Sequence, residues 1–313
     1  MRIIFAGSPG IAVPCLEALC NIDDIEVAGV LTNPDTAKGR SGTLIPTEVG
    51  EAAQKLGIMP ILKPFKLDSA AREQIAALNI DLLVSFAYAR LFGPKFLALF
   101  PLGGINIHPS ILPKYRGPSP IQAAILNRDS ETGVSIQTLA HEMDCGDILA
   151  MEKFPLCGRE TSQSLGESAG KIAAQMLPEV IKKIASGNIQ KSPQDSSCAS
   201  YCSLVSKEAG LIDWNQSSLE IDAKIRAFDP WPLCRTIHNG RELLLLKASA
   251  QEDSVPLQGI PGKVLGIDNK YGILIQTGDG VLAVTELQYQ AKKALFWRDF
   301  LNGARDFSGS QLG

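Results

Sequence analysis

Arg2-Ile-Ile-Phe-Ala6, closed by Gly7-Ser8-Pro9-Gly10 and followed by a helical pattern from Ile11 to Cys20, is the stretch whose reading decides the fold. The first run is short and apolar with a single charge at its edge, which suits a strand covered on both faces. The Gly-Ser-Pro-Gly break ends the ladder and turns the chain into a helix. The same alternation continues outward. Glu26-Val-Ala-Gly-Val-Leu-Thr32 reads as a second buried strand and Pro46 to Leu56 as a second helix. Helical Ala70–Leu78 precedes the strand Ile80-Asp-Leu-Leu-Val-Ser-Phe86. Gly104-Ile-Asn-Ile-His108 and Gly133-Val-Ser-Ile-Gln-Thr-Leu139 extend the series, and a long helix from about Ser164 to Ser186 closes it. Strands that are nearly all apolar and alternate with helices imply an α/β domain built on a parallel sheet.

A chain of 313 residues exceeds one typical domain of about 100–200 residues, and 45% apolar residues suffice for two cores. From Gly187 to Ser203 the composition shifts to Ser, Gln, Asn, Pro and Asp. The expected division is therefore a first domain at 1–187, a linker at 188–203 and a second domain at 204–313. In the second, Glu242–Ala248, Gly262–Ile267, Tyr271–Thr277 and Val281–Leu287 read as short strands, the last following a Gly278-Asp-Gly280 turn. Such close succession favours a small OB-like β-barrel. Trp231 reads as a buried anchor rather than an exposed stacking platform.

A net charge of −3 argues against nucleic-acid binding by bulk electrostatics, so any such partner needs a local basic patch or shape recognition. The seven cysteines are odd in number and do not suggest a disulfide framework. Cys198 and Cys202 are four apart without a second pair, and only three histidines occur, so no metal is expected. Met1-Arg-Ile-Ile runs straight into the first strand and no apolar stretch approaches membrane length. The expectation is no targeting peptide, no membrane association and a cytoplasmic location.

The opening Gly-Ser-Pro-Gly lacks the G-x-G-x-x-G pattern of a dinucleotide site, and no phosphate-binding loop of the Walker type occurs. The chemistry lies instead in Gly104-Ile-Asn-Ile-His-Pro-Ser-Ile-Leu-Pro-Lys-Tyr-Arg-Gly117. Along a strand Ile105 and Ile107 face one way while Asn106 and His108 face the other. Pro109 ends the strand, and the carboxyl ends of such strands are where α/β proteins gather reacting groups. The second piece is His141-Glu-Met-Asp-Cys-Gly-Asp147, whose Asp144 can orient an imidazole and stabilise its charged form. His141 is the rival imidazole and ranks below His108, because no amide donor shares its stretch. Cys145 has no local feature that would lower its thiol pKa. An amide, an imidazole and a carboxylate suit acyl transfer to an amine. Attack on a formyl carbon builds an oxyanion that Asn106 can stabilise, and His108 can take and return the proton.

Asn106-Ile-His108, Ser110-Ile-Leu-Pro113 with Lys114-Tyr-Arg-Gly117, and Asp144 with Gly146-Asp147 resemble the core of the folate-dependent formyltransferases. The resemblance implies a Rossmann-like formyltransferase fold with Asn106, His108 and Asp144 as catalytic residues. It also implies that Ser110, Ile111, Leu112 and Pro113 line the site of a reduced folate, with 10-formyltetrahydrofolate as donor. Leu112–Pro113 is a candidate cis peptide. The core does not separate members that act on glycinamide ribonucleotide from those that act on methionyl-tRNA. The former end after one domain. Here the chain continues, and Ile225-Arg-Ala-Phe-Asp-Pro-Trp-Pro232, Thr277-Gly-Asp-Gly280 and Lys292-Lys293 resemble the C-terminal β domain of the latter. Gly39-Arg40, after Asn33-Pro34-Asp35, resembles the loop that approaches the tRNA acceptor end, so Lys38 and Arg40 are the implied tRNA-binding residues. That loop departs from the family pattern by reading Ser41-Gly42-Thr43-Leu44-Ile45, where further lysines are usual.

The function implied is formyl transfer to the amino group of initiator methionyl-tRNA by a monomeric enzyme of translation initiation. The open alternatives are formylation of a small-molecule amine such as a sugar nucleotide, hydrolysis of the formyl-folate, and a non-catalytic RNA-binding scaffold.

Overall fold

The computed structural model describes residues 1–38, 43–251 and 259–313. The chain divides into two units, each interrupted in sequence. The first comprises Met1–Pro120, Glu131–Pro155 and Leu165–Ser203, and the second Ile121–Ser130, Leu156–Ser164 and Leu204–Gly313.

In the first unit the strands are β1 (Arg2–Gly7), β2 (Glu26–Leu31), β3 (Thr36–Lys38), β4 (Thr43–Ile45), β5 (Ile61–Leu62), β6 (Leu82–Phe86), β7 (Gly104–His108), β8 (Glu131–Thr138) and β9 (Ile148–Pro155). Seven of them form one sheet in the order β5-β2-β1-β6-β7-β8-β9, while β3 and β4 pair as a separate hairpin. The helices are α1 (Val13–Cys20), α2 (Glu48–Lys55), α3 (Ser69–Ala76) and the short α4 (Pro94–Leu97). Thr47 caps α2 by accepting from Gly50 N at 3.1 Å, and Asp68 caps α3 by accepting from Ala71 N at 3.1 Å.

The two faces of the sheet are separate cores, and the strand period sorts residues between them. Ile3 and Phe5 enter one cluster together with Leu82, Val84, Ile105 and Ile107, whereas Ile4, Ala6 and Leu83 enter the other. α6 (Ser162–Ala185) supplies Ala169, Ala173, Leu177, Val180 and Ile181 to the first cluster, a spacing of three and four residues that makes one helix face. Gly170 is needed there, since a Cβ would lie 2.5 Å from the Ile11 carbonyl oxygen. Because Ile105 and Ile107 belong to the first cluster, Asn106 and His108 project from the opposite face of β7.

The sheet is parallel through β7 and then reverses. β7 pairs antiparallel with β8 and β8 antiparallel with β9, against the expectation that the 133–139 strand would run parallel with its neighbours. The hydrophobic pattern of a strand has no polarity, so direction was not in it. The reversal places Asn106 opposite Gln137 and His108 opposite Ser135. The segment at 188–203, expected as a linker, is bonded to the first unit. Ser192 and Ile148 exchange two backbone hydrogen bonds at 2.8 and 3.0 Å, and Cys202 N donates to Arg116 O at 2.9 Å.

The second unit contains α5 (Pro120–Leu126) apart from its first residue, α7 (Ser218–Ala227), α8 (Trp297–Gly303) and an antiparallel sheet. Its strands are β10 (Cys234–His238), β11 (Arg241–Gln251), β12 (Val264–Asp268), β13 (Gly272–Gln276), β14 (Val281–Tyr289) and β15 (Leu295–Phe296). They run in the order β10-β11-β14-β13-β12, with β15 on β14. Register shifts between Leu245 and Ala248, and between Val264 and Gly266, bend the strands as a barrel-like sheet requires. Trp214 and Trp297 are the buried indoles of this unit. Trp231 is 56% exposed, which corrects its reading as an anchor.

Candidate active site

Asp144 is where the first unit's polar side chains converge. The residue holds a left-handed backbone, φ 57°, in the turn between β8 and β9. An aspartate tolerates that conformation better than most side chains. Its Oδ1 accepts from Asn106 Nδ2 at 3.3 Å and from Gln137 Nε2 at 2.9 Å. Its Oδ2 accepts from the backbone N–H of Gly117 at 2.9 Å and lies 3.5 Å from His108 Nδ1. The register of β7 against β8 makes Asn106 and Gln137 cross-strand neighbours, and the turn folds back so that one oxygen serves both.

The imidazole is held at its other nitrogen. His108 Nε2 donates to the Tyr115 carbonyl oxygen at 2.8 Å, and since a carbonyl only accepts, the proton of the neutral ring sits on Nε2. Nδ1 then carries the lone pair and faces the Asp144 carboxylate. The ring is 4% exposed. Burial pushes its pKa below the ordinary imidazole value, while the Asp144 charge and the Tyr115 hydrogen bond pull it back up without overturning the decrease. The His108 ring is therefore held neutral, with the Asp144 carboxylate beside its Nδ1. The Tyr115 carbonyl is aimed by a left-handed Tyr115, φ 59°, and by Ser200 Oγ, which accepts from Tyr115 N at 2.9 Å. Gly117, φ 122°, is the position where only glycine fits: a Cβ would lie 2.2 Å from the Cys202 carbonyl oxygen.

Asn106, His108 and Asp144 are thus brought together as the sequence suggested. His141 is exposed, and no hydrogen bond links it to them among the described residues. The Cys145 thiol has its pKa raised, by burial first and by Glu142 and Asp144, with Arg116 opposing, so no thiolate is prepared there. Leu112–Pro113 is cis. The Ser110 and Leu112 side chains are buried, and the segment is knitted to β8: Ser135 Oγ donates to Ser110 O at 2.7 Å and accepts from Leu112 N at 3.1 Å. Lys38 ends β3, and Arg40 lies outside the described residues. Among the described residues no cluster of three or more His, Cys, Asp or Glu could hold a metal, and no helix is long and apolar enough to cross a membrane.

Gln137, Arg116 and Gln194 are site residues that sequence reasoning missed. Gln137 sits in a strand run otherwise read as apolar. Arg116 stands out in the sequence only as part of a motif. Gln194 belongs to a polar stretch whose composition reads as a connector.

A family model described as "Formyl transferase" matches residues 1–181, and one described as "Formyl transferase, C-terminal domain" matches residues 204–305. The methionyl-tRNA formyltransferase of Treponema denticola is 46% identical over 98% of this chain and 98% of its own length. The chain belongs to the methionyl-tRNA formyltransferase family. The Treponema pallidum member of this family is 43% identical over 100% of this chain and 99% of its own. Among solved structures, WlaRD, a sugar 3N-formyl transferase determined in the presence of dTDP and 5-N-formyl-THF, has a TM-score of 0.64. It is 22% identical over 94% of this chain and 99% of its own, a likeness of fold. Family membership accounts for the continuation past the first unit into a second, antiparallel one.

Proposed function

We propose that this chain transfers the formyl group of 10-formyltetrahydrofolate to the amino group of initiator methionyl-tRNA, as a monomeric cytoplasmic enzyme of translation initiation. The observation that carries the chemical part is the convergence on Asp144 of an amide with a free hydrogen and a neutral, buried imidazole. The free atoms fit a formyl donor and an amine. Asn106 Nδ2 has one hydrogen on Asp144 and a second for an oxygen that gains charge. His108 Nδ1 offers a lone pair for a proton.

The amine nitrogen bonds to the formyl carbon while its proton passes to His108 Nδ1, and the ring becomes an imidazolium against Asp144 Oδ2. The carbon–nitrogen bond to the folate then breaks, and His108 returns the proton to the departing nitrogen. Asn106 stabilises the oxyanion between these steps. One such donor is typically worth roughly 10²–10³-fold in rate, and the acid–base group about 10²–10⁴-fold. No nucleophilic side chain takes part.

Ser110, Ile111, Leu112 and Pro113 shape the wall on which the reduced folate lies; the half-buried Ile111 and Pro113 and a backbone fixed to Ser135 support that role. Lys38 and Arg40 contact the tRNA. The exposure of Leu44, 65%, on the strand paired with β3 supports this part. Residues 1–187, with the bonded segment 188–203, supply the catalytic domain and 204–313 an OB-like tRNA-contacting domain.

The test is transfer of a labelled formyl group from 10-formyltetrahydrofolate to charged initiator methionyl-tRNA, with glycinamide ribonucleotide, a sugar-nucleotide amine and water as competitors. Rapid label on the tRNA, lost in His108→Ala, is the expected result. Free formate, or label on a small amine in preference to the tRNA, would refute the acceptor named here.

A further inference from the structure

Arg116 is a buried cation, 3% exposed, whose hydrogen-bond partners are neutral oxygens. Its Nε and Nη2 both donate to Gln194 Oε1, at 3.1 and 2.9 Å. Longer bonds of 3.4 Å run to Tyr201 Oη and Ser196 Oγ. A buried charge must be met by well-placed dipoles, and here one amide takes most of that task.

The orientation of that amide follows from chemistry. Arginine only donates, so Oε1 must face Arg116 and Nε2 must face the other way. Gln194 Nε2 meets three acceptors: Gly146 O at 2.7 Å, Asp144 O at 2.8 Å and Gln137 Oε1 at 3.1 Å. The Gln137 amide is fixed by the same logic from its far end, because the Asp144 carboxylate only accepts. A polarised chain therefore runs from a fixed guanidinium through two amides to the carboxylate that faces His108. Its bonds, half-buried, polarise one another. Gln194 also ties the carbonyl of the left-handed Asp144 and that of Gly146, one residue to either side of Cys145.

We propose that Gln194 is a positioning residue for formyl transfer: with Arg116 behind it, it fixes both the backbone and, through Gln137, the carboxylate of Asp144. The proposal rests on the catalytic reading of Asp144 given above. Gln194 lies outside the motifs that carry the family resemblance, in a segment whose composition reads as a connector.

The experiment compares Gln194→Met, which keeps volume and removes the hydrogen bonds, with Gln194→Glu. The latter keeps the Arg116 contact but turns an acceptor toward three acceptors. In the full chain both should lower kcat roughly 10- to 100-fold, the scale of a misplaced reacting group, with KM for folate and tRNA within about twofold. NMR titration of the histidines in the folded variants should show His108 moving further below its ordinary range, because the Asp144 charge no longer holds it up, while His238 stays put. A drop in melting temperature with unchanged kcat and unchanged His108 titration would overturn the proposal and leave Gln194 merely structural. Asp144→Asn separates the two layers. If it is inactive while Gln194→Met is within twofold of the parent, the reading of Asp144 stands and the proposal falls. If Asp144→Asn transfers formyl at the parent rate, both fall.

Discussion

Replacing Gly146 by alanine is the most telling single perturbation of this fold. A Cβ built there lies 1.7 Å from the Thr138 carbonyl oxygen, 2.7 Å from its carbon and 2.8 Å from Thr138 Oγ1. To reach even 3.0 Å, the turn must retreat from β8 by about 1.3 Å. Two hydrogen bonds stand in the way, Thr138 N to Asp147 O and Asp147 N to Thr138 Oγ1, both 2.9 Å. Such a retreat stretches both beyond bonding distance. At about 1 kcal/mol for each bond, with overpacking strain of about 1–3 kcal/mol added, the expected loss of stability is on the order of 3–5 kcal/mol. The turn also carries Asp144, and a displacement of about 1 Å at a reacting group costs on the order of 10²-fold in rate. Denaturant unfolding gives the first quantity and single-turnover formyl transfer the second. Gly103→Ala is the control: Gly103 has φ 75° and open space around it, so only backbone strain applies, about 1–2 kcal/mol, with the rate intact. If Gly146→Ala unfolded like Gly103→Ala and kept its rate within threefold, the steric account of the turn would be wrong.

The pH profile of formyl transfer should keep its plateau below the ordinary imidazole pKa, since His108 is needed neutral and its pKa is depressed by burial. The rate then falls as pH drops through that depressed value. In Asp144→Asn, which removes the charge that raises His108, the residual activity should have its acid limb at still lower pH. Unfolding stability has the same sign. The unfolded imidazole gains a proton that the folded one resists, so the contribution of His108 is present above the unfolded pKa and lost as pH falls. Ser217→Ala breaks a capping box at α7, in which Ser217 Oγ accepts from Glu220 N and Glu220 Oε2 accepts from Ser217 N. It should cost about 1 kcal/mol in denaturant unfolding without changing transfer by the first unit's residues. Lys292→Ala with Lys293→Ala, both exposed in the second unit, should raise KM for the tRNA and reduce the salt dependence of that KM by about one log–log unit per lysine lost. The KM for folate should not move.

Much of this could be read from residues alone, and the failures share a cause. Arg2–Gly7, Leu82–Phe86 and Gly104–His108 are legible because burial on both faces leaves near-continuous apolar runs. The strand Ile148–Pro155 is not. Its Glu152 and Lys153 lie on an edge strand, where the apolar run breaks. Asn106 and His108 are legible as a pair because alternation puts them on one face. Asp144 is legible only through a motif, since nothing local to it announces the fold-back of its turn. Gln194 is invisible for a stronger reason. Its partners are 48 to 78 residues away, and its own neighbours are polar and unpatterned. Long-range polar contacts leave no periodic trace, whereas cores do.

The bonding of residues 188–203 to the first unit also sets an order of events during synthesis. Asp144 and Gln194 are 50 residues apart, and at roughly 5–20 residues per second a ribosome needs about 3–10 s to make that stretch. For that interval His108 and Asp144 exist in a nascent chain that lacks the amide bridging them to Arg116, as well as the Ser200 hydroxyl that receives Tyr115 N and the Cys202 carbonyl that confines Gly117. The catalytic unit is complete only when residue 203 of 313 has been joined. A chain released near residue 187 carries every group proposed for the reaction and none of this final brace. It is a fragment with the right chemistry and a loose geometry, which makes the polar stretch a checkpoint in the chain's own assembly.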